Sequence, residues 1–428
     1  MRMQTLSLPS ISSMSQQVLS AVPPWRRFLF ENSVFLIVGA LAALAWANLN
    51  HASYKHFIEF DLRRLAGMTS DAHGAAHGLT IHFLVNDVLM ALFFAIVGKE
   101  VWESMLPGGD LSNPRKAAMP LLATMGGIVG PASVYLIGAA ATGQIVELGR
   151  GWAIPCATDI AFSYLTARLI FGAGHPAISF LLLLAIADDA AGLVILAIAY
   201  PQDTLQPQWL LLTLAAMALA YFVFQRKLQI RSFWWYLLIP GTISWLSFYW
   251  AGIHAALGLV PIIVCLPHAH TDWGVFADSQ RNRSDTLNEF ERWWKNPVEL
   301  ILGLFGLVNA GVLLGGFETG AGLVLLGLLA GKPLGIAGFT WLSEKLFGLQ
   351  TPEGMDYRHV WVLGVIAGLG FTVALIVSEA AFPMKNPLYG EVRDAVKMGA
   401  LASFLAIPMA FGIARLLGVK NQAKMASS

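Results

Sequence analysis

Charge is scarce in this chain. Of its 428 residues only 12% are Asp, Glu, Lys or Arg, against about 25% in ordinary soluble domains. A soluble surface of this extent cannot be covered with so little charge, and a net charge of +1 leaves no basic face for nucleic acid. Cysteine is nearly absent. Cys156 and Cys265 both fall inside apolar runs, which excludes a disulfide framework and says nothing of compartment. There is no Walker loop, so ATP does not drive whatever the chain does, and its energy must come from a gradient. The first 22 residues are polar and Ser-rich, without the basic start and apolar stretch of a cleaved signal; the first apolar run is expected to act as its own insertion signal.

Long apolar runs are what the chain has instead. Hydrophobic residues make up 56% of it. A hydrocarbon core about 30 Å thick needs about 20 apolar residues per helix. About a dozen such runs are found, near residues 33 to 50, 82 to 104, 116 to 141, 151 to 170, 176 to 200, 207 to 225, 233 to 251, 252 to 267, 296 to 317, 319 to 342, 357 to 381 and 393 to 417. They are continuous and do not alternate apolar with polar, which predicts helices and not barrel strands. The expected fold is an all-α polytopic membrane protein with about 12 transmembrane helices.

Lys and Arg near the runs set the orientation. Arg26 and Arg27 precede the first run, Arg115 and Lys116 lie between the second and third, and Arg226, Lys227 and Arg231 follow the sixth. Arg281, Arg283, Arg292 and Lys295, then Lys345 and Arg358, then Arg415, Lys420 and Lys424 continue the pattern. All these ends, and both termini, are expected in the cytoplasm. Lys55, Arg63 and Arg64 run against the rule after the first span, partly offset by Glu59 and Asp61.

Two adjacent aspartates, Asp188 and Asp189, interrupt the apolar run from Phe180 to Tyr200. One charge at the centre of a bilayer costs about 2.5 to 3.5 kcal/mol on insertion scales, so a pair is a poor choice for structural filling. Each must meet a cation, a proton or the other. Neighbours on a helix point about 100° apart, so the two are expected to have different partners, one a transported ion and one a fixed countercharge.

Two distant runs are broken at mid-membrane. One reads Gly151-Trp152-Ala153-Ile154-Pro155-Cys156-Ala157-Thr158-Asp159; the other carries Gly364, then Gly368-Leu369-Gly370-Phe371-Thr372. Pro155 and the glycines favour unwinding, although small residues also let helices pack closely, which is the alternative reading of Gly368 and Gly370. Each broken run is the middle of a three-run group, third to fifth and tenth to twelfth. The groups start on opposite sides of the membrane, as an inverted repeat requires. Crossed broken helices would present four half-helix ends at the midplane. Asp159 is placed to neutralise the positive ends, and Lys332, in Gly331-Lys332-Pro333-Leu334, the negative ones.

Asp159, Asp188 and Asp189 with Lys332 thus form an intramembrane constellation to which Thr158 and Thr372 could add hydroxyl oxygens. Such ligands suit a small hard cation better than an organic substrate. Crowded carboxylates in a dry site cannot all stay ionised without a cation. A site that holds either protons or a cation, and faces one side at a time, is an antiporter. Neutralised carboxylates packed onto Lys332 would be the purely structural alternative, against the cost of burial. An intramembrane aspartyl protease needs two aspartates on facing helices around one water and has no use for the lysine, so an enzyme is not expected. A sodium- and proton-coupled symporter or a cation channel on the same site remains the alternative, because ligands do not reveal the order in which gates open.

The stretch Asn86-Asp87 with Leu89-Met90-Ala91-Leu92-Phe93-Phe94, then Gly151 to Pro155 with Ala157-Thr158-Asp159-Ile160-Ala161-Phe162, then Ala185-Ile186-Ala187-Asp188-Asp189, resembles the NhaA family of bacterial sodium/proton antiporters. Gly331-Lys332-Pro333-Leu334-Gly335 and Gly368-Leu369-Gly370-Phe371-Thr372 extend the likeness over about residues 27 to 415. Inverted repeats are a known property of that family, so the symmetry and the resemblance are not independent.

The resemblance implies electrogenic exchange of sodium or lithium for protons, with more protons than sodium ions per cycle and no cofactor. It implies that Asp189 is a principal sodium ligand and proton carrier, and that Asp188 binds Lys332 when sodium is absent. Thr158 and Asp159 then shape the site in the broken helix, with Asp159 balancing helix dipoles. It further implies a core rocking against a dimerisation part, a homodimer among membrane lipids, and the bacterial inner membrane. The core is expected within about 82 to 200 and 296 to 417, the dimerisation part within about 27 to 81 and 207 to 267, with tails at 1 to 26 and 418 to 428. Salt tolerance and pH homeostasis are the tasks such a protein serves.

One departure concerns the cytoplasmic end of the second run, Lys99-Glu100-Val101-Trp102-Glu103-Ser104. Glu100 fits the family's charged cluster, which is associated there with alkaline activation, whereas Trp102 and Ser104 stand where charges are found. Glu100, Glu103 and His254, in Gly252-Ile253-His254-Ala255, are the pH-response candidates; His254 reads equally as a hydrogen-bonded packing residue. His73, His77 and His82 could be spaced for a metal but lie in a Gly/Ala-rich outer stretch without a thiolate. The loop from about 51 to 80 is expected to meet its counterpart across a dimer. The segment Asn288 to Lys295, with Phe290, Trp293 and Trp294 beside Glu291, Arg292 and Lys295, is expected at the cytoplasmic interface.

Overall fold

The computed structural model describes residues 29–30, 33–66, 79–109, 111–268, 285–315, 318–384 and 389–419. Arg26, Arg27, His73, His77, Arg281, Arg283, Lys420, Lys424 and the tail at 1 to 26 lie outside the described residues, as do parts of the loop at 51 to 80 and of the tail at 418 to 428.

Among the described residues the chain is helical, with one isolated bridge between Asp61 and Thr80. In chain order the main helices are α1 (Val34–Leu49), α2 (Ile81–Met105), α3 (Pro114–Ala141), α4 (Ile160–Phe171), α5 (Pro176–Ala199) and α6 (Pro207–Lys227). There follow α7 (Thr242–Ala251), α8 (Thr286–Asn309), α9 (Thr319–Phe347), α10 (Tyr357–Ala367), α11 (Phe371–Ala381) and α12 (Gly390–Leu416). By length and apolar composition six of these are able to cross a membrane, namely α2, α3, α5, α6, α9 and α12. A seventh is added if α10 and α11, bent by 51°, count as one span.

The apolar runs therefore exceed the continuous helices, for local reasons. The run at 151 to 170 enters as a 3-10 turn, Gly149–Cys156, extends over 157 to 159, and only then becomes α4. Pro155 lacks the N–H that an α-helix would use there. The run at 252 to 267 is not one helix: after Gly252, left-handed at φ 75°, it forms a 3-10 turn, Ala255–Leu259, and a short Val260–Ile263. The run at 296 to 317 stops at Asn309, while its helix begins upstream at Thr286, where the Asp285 side chain accepts from Asn288 N at 2.8 Å. The amphipathic segment at Asn288 to Lys295 is thus the first turns of α8. Asx capping, invisible to hydropathy, moved the boundary.

Two sets of helices emerge from the packing. In one, α3 lies along α9, the Gly149–Cys156 turn and α5; α10 packs on α9, α4 and α5; and α12 packs on α9, α10 and α11. The α3–α9 seam is built on glycine: a Cβ on Gly126 would stand 2.2 Å from Gly335 O, and one on Gly335 2.0 Å from Gly126 O. Backbones meet directly there, the way helices associate in lipid, where apolar area gives no preference between partners. In the other set, α1 lies along α8, α2 packs on α8 and on Ala255–Ile263, and α6 packs on α7. Contacts of α2 with α5 and of α8 with α11 join the sets.

Candidate ion-binding site

The two broken segments meet. Asp159 N donates to Leu369 O at 2.6 Å, so the extended backbone at 157 to 159 is hydrogen-bonded to the break at 368 to 370. Both glycines of that break serve close approach. Their φ values, −66° and −114°, are open to other residues, but a Cβ on Gly370 would lie 2.8 Å from Ala157 O, and one on Gly368 2.5 Å from Leu328 O. The structure thus gives these positions the close-packing role beside the unwinding one.

Each break leaves helix ends whose backbone groups have no helical partner. The α10 carbonyls of Ile366 and Ala367 accept from the hydroxyls of Ser163 and Thr158, both at 3.1 Å. Asp159 is the N-cap of α4, its Oδ1 accepting from Phe162 N at 3.5 Å. Its Oδ2 accepts from Thr372 N at 3.3 Å and from the Thr372 hydroxyl, at the start of α11. One carboxylate therefore faces the positive ends of both half-helices, where a negative charge is favoured. On the opposite sense, the Cys156 carbonyl, last in its 3-10 turn, accepts from Lys332 Nζ.

Lys332 also reaches Asp188, Nζ to Oδ2 at 2.8 Å. The lysine is 0% and Asp188 5% exposed. It follows directly on a π-helical turn, Gly327–Gly331, within α9, and Pro333 next to it removes the N–H that a regular α-helix would use. Unpaired, either charge would be heavily destabilised at this depth; paired, each also has a hydrogen-bond partner.

Asp189 is different. One helical step from Asp188, it is half-buried, and no hydrogen bond or ion pair joins it to the described residues. The charges acting on it are Asp188, Glu100 and Asp159 on one side of the balance and Lys332 on the other. It is thus a carboxylate without a donor among the described residues, beside one already paired. The Thr158 and Thr372 hydroxyls donate elsewhere, to Ala367 O and Asp159 Oδ2.

Other sequence candidates lie apart from this centre. Glu103 accepts from Lys99 Nζ at 2.6 Å, and the same lysine bonds Glu291 of α8; Glu100 is half-buried beside them. Lys99, 2% exposed, was not foreseen, although a lysine inside an apolar run was the available signal. Asn86 and Asn309 exchange amide hydrogen bonds at 3.1 and 2.7 Å. His254 Nδ1 stands 3.7 Å from Asp87 Oδ1, beyond hydrogen-bond reach, and neither atom has another partner. His82 is not in an outer loop but opens α2, 3.0 Å from Asn86 Nδ2 and 3.2 Å from Glu379 Oε1. Glu379 and Lys397, inside apolar runs and overlooked in the sequence, pair at 2.7 Å.

Comparison of the sequence with known proteins finds transporters. The family model described as Na+/H+ antiporter 1 matches residues 29–416. The chain is 47% identical over 418 residues to the Na(+)/H(+) antiporter NhaA of Jannaschia sp. (strain CCS1), covering 92% of this chain and 98% of that protein. It is 46% identical over 402 residues to the protein of that name from Geotalea uraniireducens, covering 93% and 98%. With the one from Geobacter sulfurreducens it shares 43% identity over 396 residues, covering 92% and 98%.

Proposed function

Since the chain belongs to the Na+/H+ antiporter 1 family, and so exchanges sodium ions for protons across a membrane, we propose that Asp189 is the acceptor for which the two ions compete. The observation that carries this reading is the contrast within one pair of neighbours: Asp188 is held by Lys332, while Asp189 has no donor among the described residues.

The cycle follows from that contrast. Without sodium, Asp189 takes a proton and Asp188 stays on Lys332. An entering sodium ion needs several oxygens in place of its water. Asp189 supplies them on losing its proton, Asp188 on leaving Lys332, and the Thr158 and Thr372 hydroxyls are at hand. Asp159, Lys332, Gly368 and Gly370 keep the crossing in shape, so that the site can be presented to one side and then the other. Asp188 is already ionised on Lys332 and only changes partner, so Asp189 gives up one proton per sodium ion, and electrogenic exchange needs a second proton to leave with it. Lithium, equally hard, fits the same oxygens. No cofactor is needed.

The architecture that serves this is a twelve-span fold with inverted repeats. Supporting it, the broken Gly149–Cys156/α4 segment lies between α3 and α5, the broken α10/α11 pair between α9 and α12, and the two breaks touch. Both termini are cytoplasmic in the inner membrane, by the distribution of Lys and Arg. The protein works as a homodimer among lipids. The moving core holds α3 to α5 and α9 to α12; the α1, α6 and α7 set faces the dimer, with α2 and α8 at the seam.

The test is calorimetry of sodium binding in buffers of different ionisation enthalpy. Proton release on sodium binding is expected for the natural chain and is absent in Asp189→Asn; sodium uptake that displaces no protons overturns the reading.

A further inference from the structure

Glu379 has no part in the site just described, yet it is a carboxylate 8% exposed within the apolar α11. Its Oε2 lies 2.7 Å from Lys397 Nζ of α12, in its own set of helices. Its Oε1 lies 3.2 Å from His82 Nε2, at the start of α2, in the other set. Among the described residues, the buried pairs of Lys99 with Glu103 and Glu291, on α2 and α8, and of Lys332 with Asp188, on α9 and α5, each stay within one set. The His82 contact spans the seam that rocking must open.

The same Nε2 atom is also 3.0 Å from Asn86 Nδ2, one turn along its own helix. That amide's oxygen is taken by Asn309, so its nitrogen faces the imidazole as a donor. A single ring nitrogen thus sits between a donor on its own helix and an acceptor across the seam. Carrying hydrogen and charged, the ring is an ion-pair partner for Glu379 at 3.2 Å; bare, the nitrogen accepts from Asn86 and repels the carboxylate. Release leaves nothing stranded, because Glu379 remains paired with Lys397.

We propose that His82 and Glu379 form a proton-operated latch on the outer side of the seam, closed when His82 is charged and free to open when it is neutral. The latch rests on the alternating-access reading and on the topology that places the start of α2 outside. Other titratable groups near it are Lys397, Arg393 and Asp394 of α12, Tyr54 and His51 of the helix His51–Ile58, His254 in the turn before Ala255, and Asp87 on the same helix as His82. Histidine alone among these changes charge near neutrality without a perturbing environment. Acid outside therefore holds the protein closed to the outside, limiting the inward proton flow that the exchange would otherwise run.

The experiment uses the full chain in proteoliposomes of one orientation, with the cytoplasmic face held at about pH 8 and the outer face taken from about 8 to about 5.5, across the histidine range. The natural chain is expected to slow by about tenfold as the outer face is acidified, an ordinary size for coupling between two states. His82→Gln keeps an amide but no charge and should slow by no more than about twofold; His82→Arg, charged throughout, should be slow at every outer pH. Both ions still meet the same aspartates in these variants, so differences between profiles isolate His82. Equal profiles for the natural chain and His82→Gln, or an Arg variant as fast as the Gln variant at outer pH about 8, overturn the latch. Exchange surviving in Asp189→Asn counts instead against the site itself.

Discussion

Asp159 and Thr372 lie 213 positions apart in the chain and share one carboxylate oxygen: Asp159 Oδ2 accepts from both the backbone N–H and the hydroxyl of Thr372. The same side chain caps α4 through Phe162 N. A single negative charge is thereby common to the positive ends of two half-helices, and each break in the membrane depends on the other.

Replacement of Asp159 separates capping from charge. Asp159→Asn keeps acceptor oxygen at one helix start and loses the charge, while Asp159→Ala loses both. Since a cap contributes about 1 kcal/mol and a charge at a helix N-terminus about 0.3 to 2 kcal/mol, the Ala variant should melt lower than the Asn variant, and both below the natural chain. Thermal melts in detergent check the order; equal melting of all three would show that the shared carboxylate does not hold the crossing.

Asp189→Asn should abolish sodium-driven proton movement while leaving the fold intact, because no donor among the described residues depends on that carboxylate. Everted vesicles report the first and a melt the second. Near-normal exchange in this variant refutes the assignment.

Lys332→Gln strands Asp188 as an uncompensated charge and gives the Cys156 carbonyl, which accepts from Lys332 Nζ, an uncharged and weaker donor. Breaking one side of a buried pair costs about 3 to 5 kcal/mol, so a large drop in melting temperature is expected at pH above neutrality. Acid should restore part of the loss, since a protonated Asp188 no longer needs the lysine. A melting temperature that is unchanged at every pH would remove the pairing.

Gly126→Ala should be more harmful than its size suggests. The added methyl would sit 2.2 Å from Gly335 O, against backbone that cannot turn aside. Lower expression and lower melting temperature are expected. Gly338→Ala, on the same helix as Gly335 but with open space at its Cβ, is the control and should behave as the natural chain.

His175 gives a pH dependence outside the spans. It caps α5, its Nδ1 accepting from Ala177 N at 3.1 Å, and stacks on His359 with ring centroids 4.8 Å apart. Burial, then the neighbouring His359, push its pKa down. A histidine lowered in the folded state is favoured in its neutral form, so its contribution is present above the unfolded value of about 6.5 and is lost as pH falls below it. Melting temperature should fall on acidification, and less so in His175→Asn, which keeps an N-cap acceptor but cannot be charged. An identical acid profile for both chains would place the sensitivity elsewhere.

Much of the centre was legible in the chain because charge in hydrocarbon is expensive. Asp159, Asp188, Asp189 and Lys332 stand out against apolar neighbours, and Pro155 and Gly370 mark the broken backbone between them. The same signal was present at Lys99, Glu379 and Lys397, but these lie nearer the ends of their runs, where a solvated charge is the ordinary reading. Span boundaries were less legible. Hydropathy measures what enters lipid, whereas the start of α8 is decided by the cap at Asp285 and the 252 to 267 run is divided by the left-handed Gly252.

By itself the sequence determined that the chain lives in a membrane, that its backbone is helical, and that acidic groups stand where only a cation or proton justifies them, because these follow from transfer energies that each residue carries with it. Only the tertiary structure decided which charge meets which. That Lys332 takes Asp188 and leaves Asp189 unpaired, that Asp159 serves two helix ends, and that Glu379 reaches across to His82 all depend on contacts between segments more than a hundred residues apart, which electrostatics rewards only after packing has brought them together.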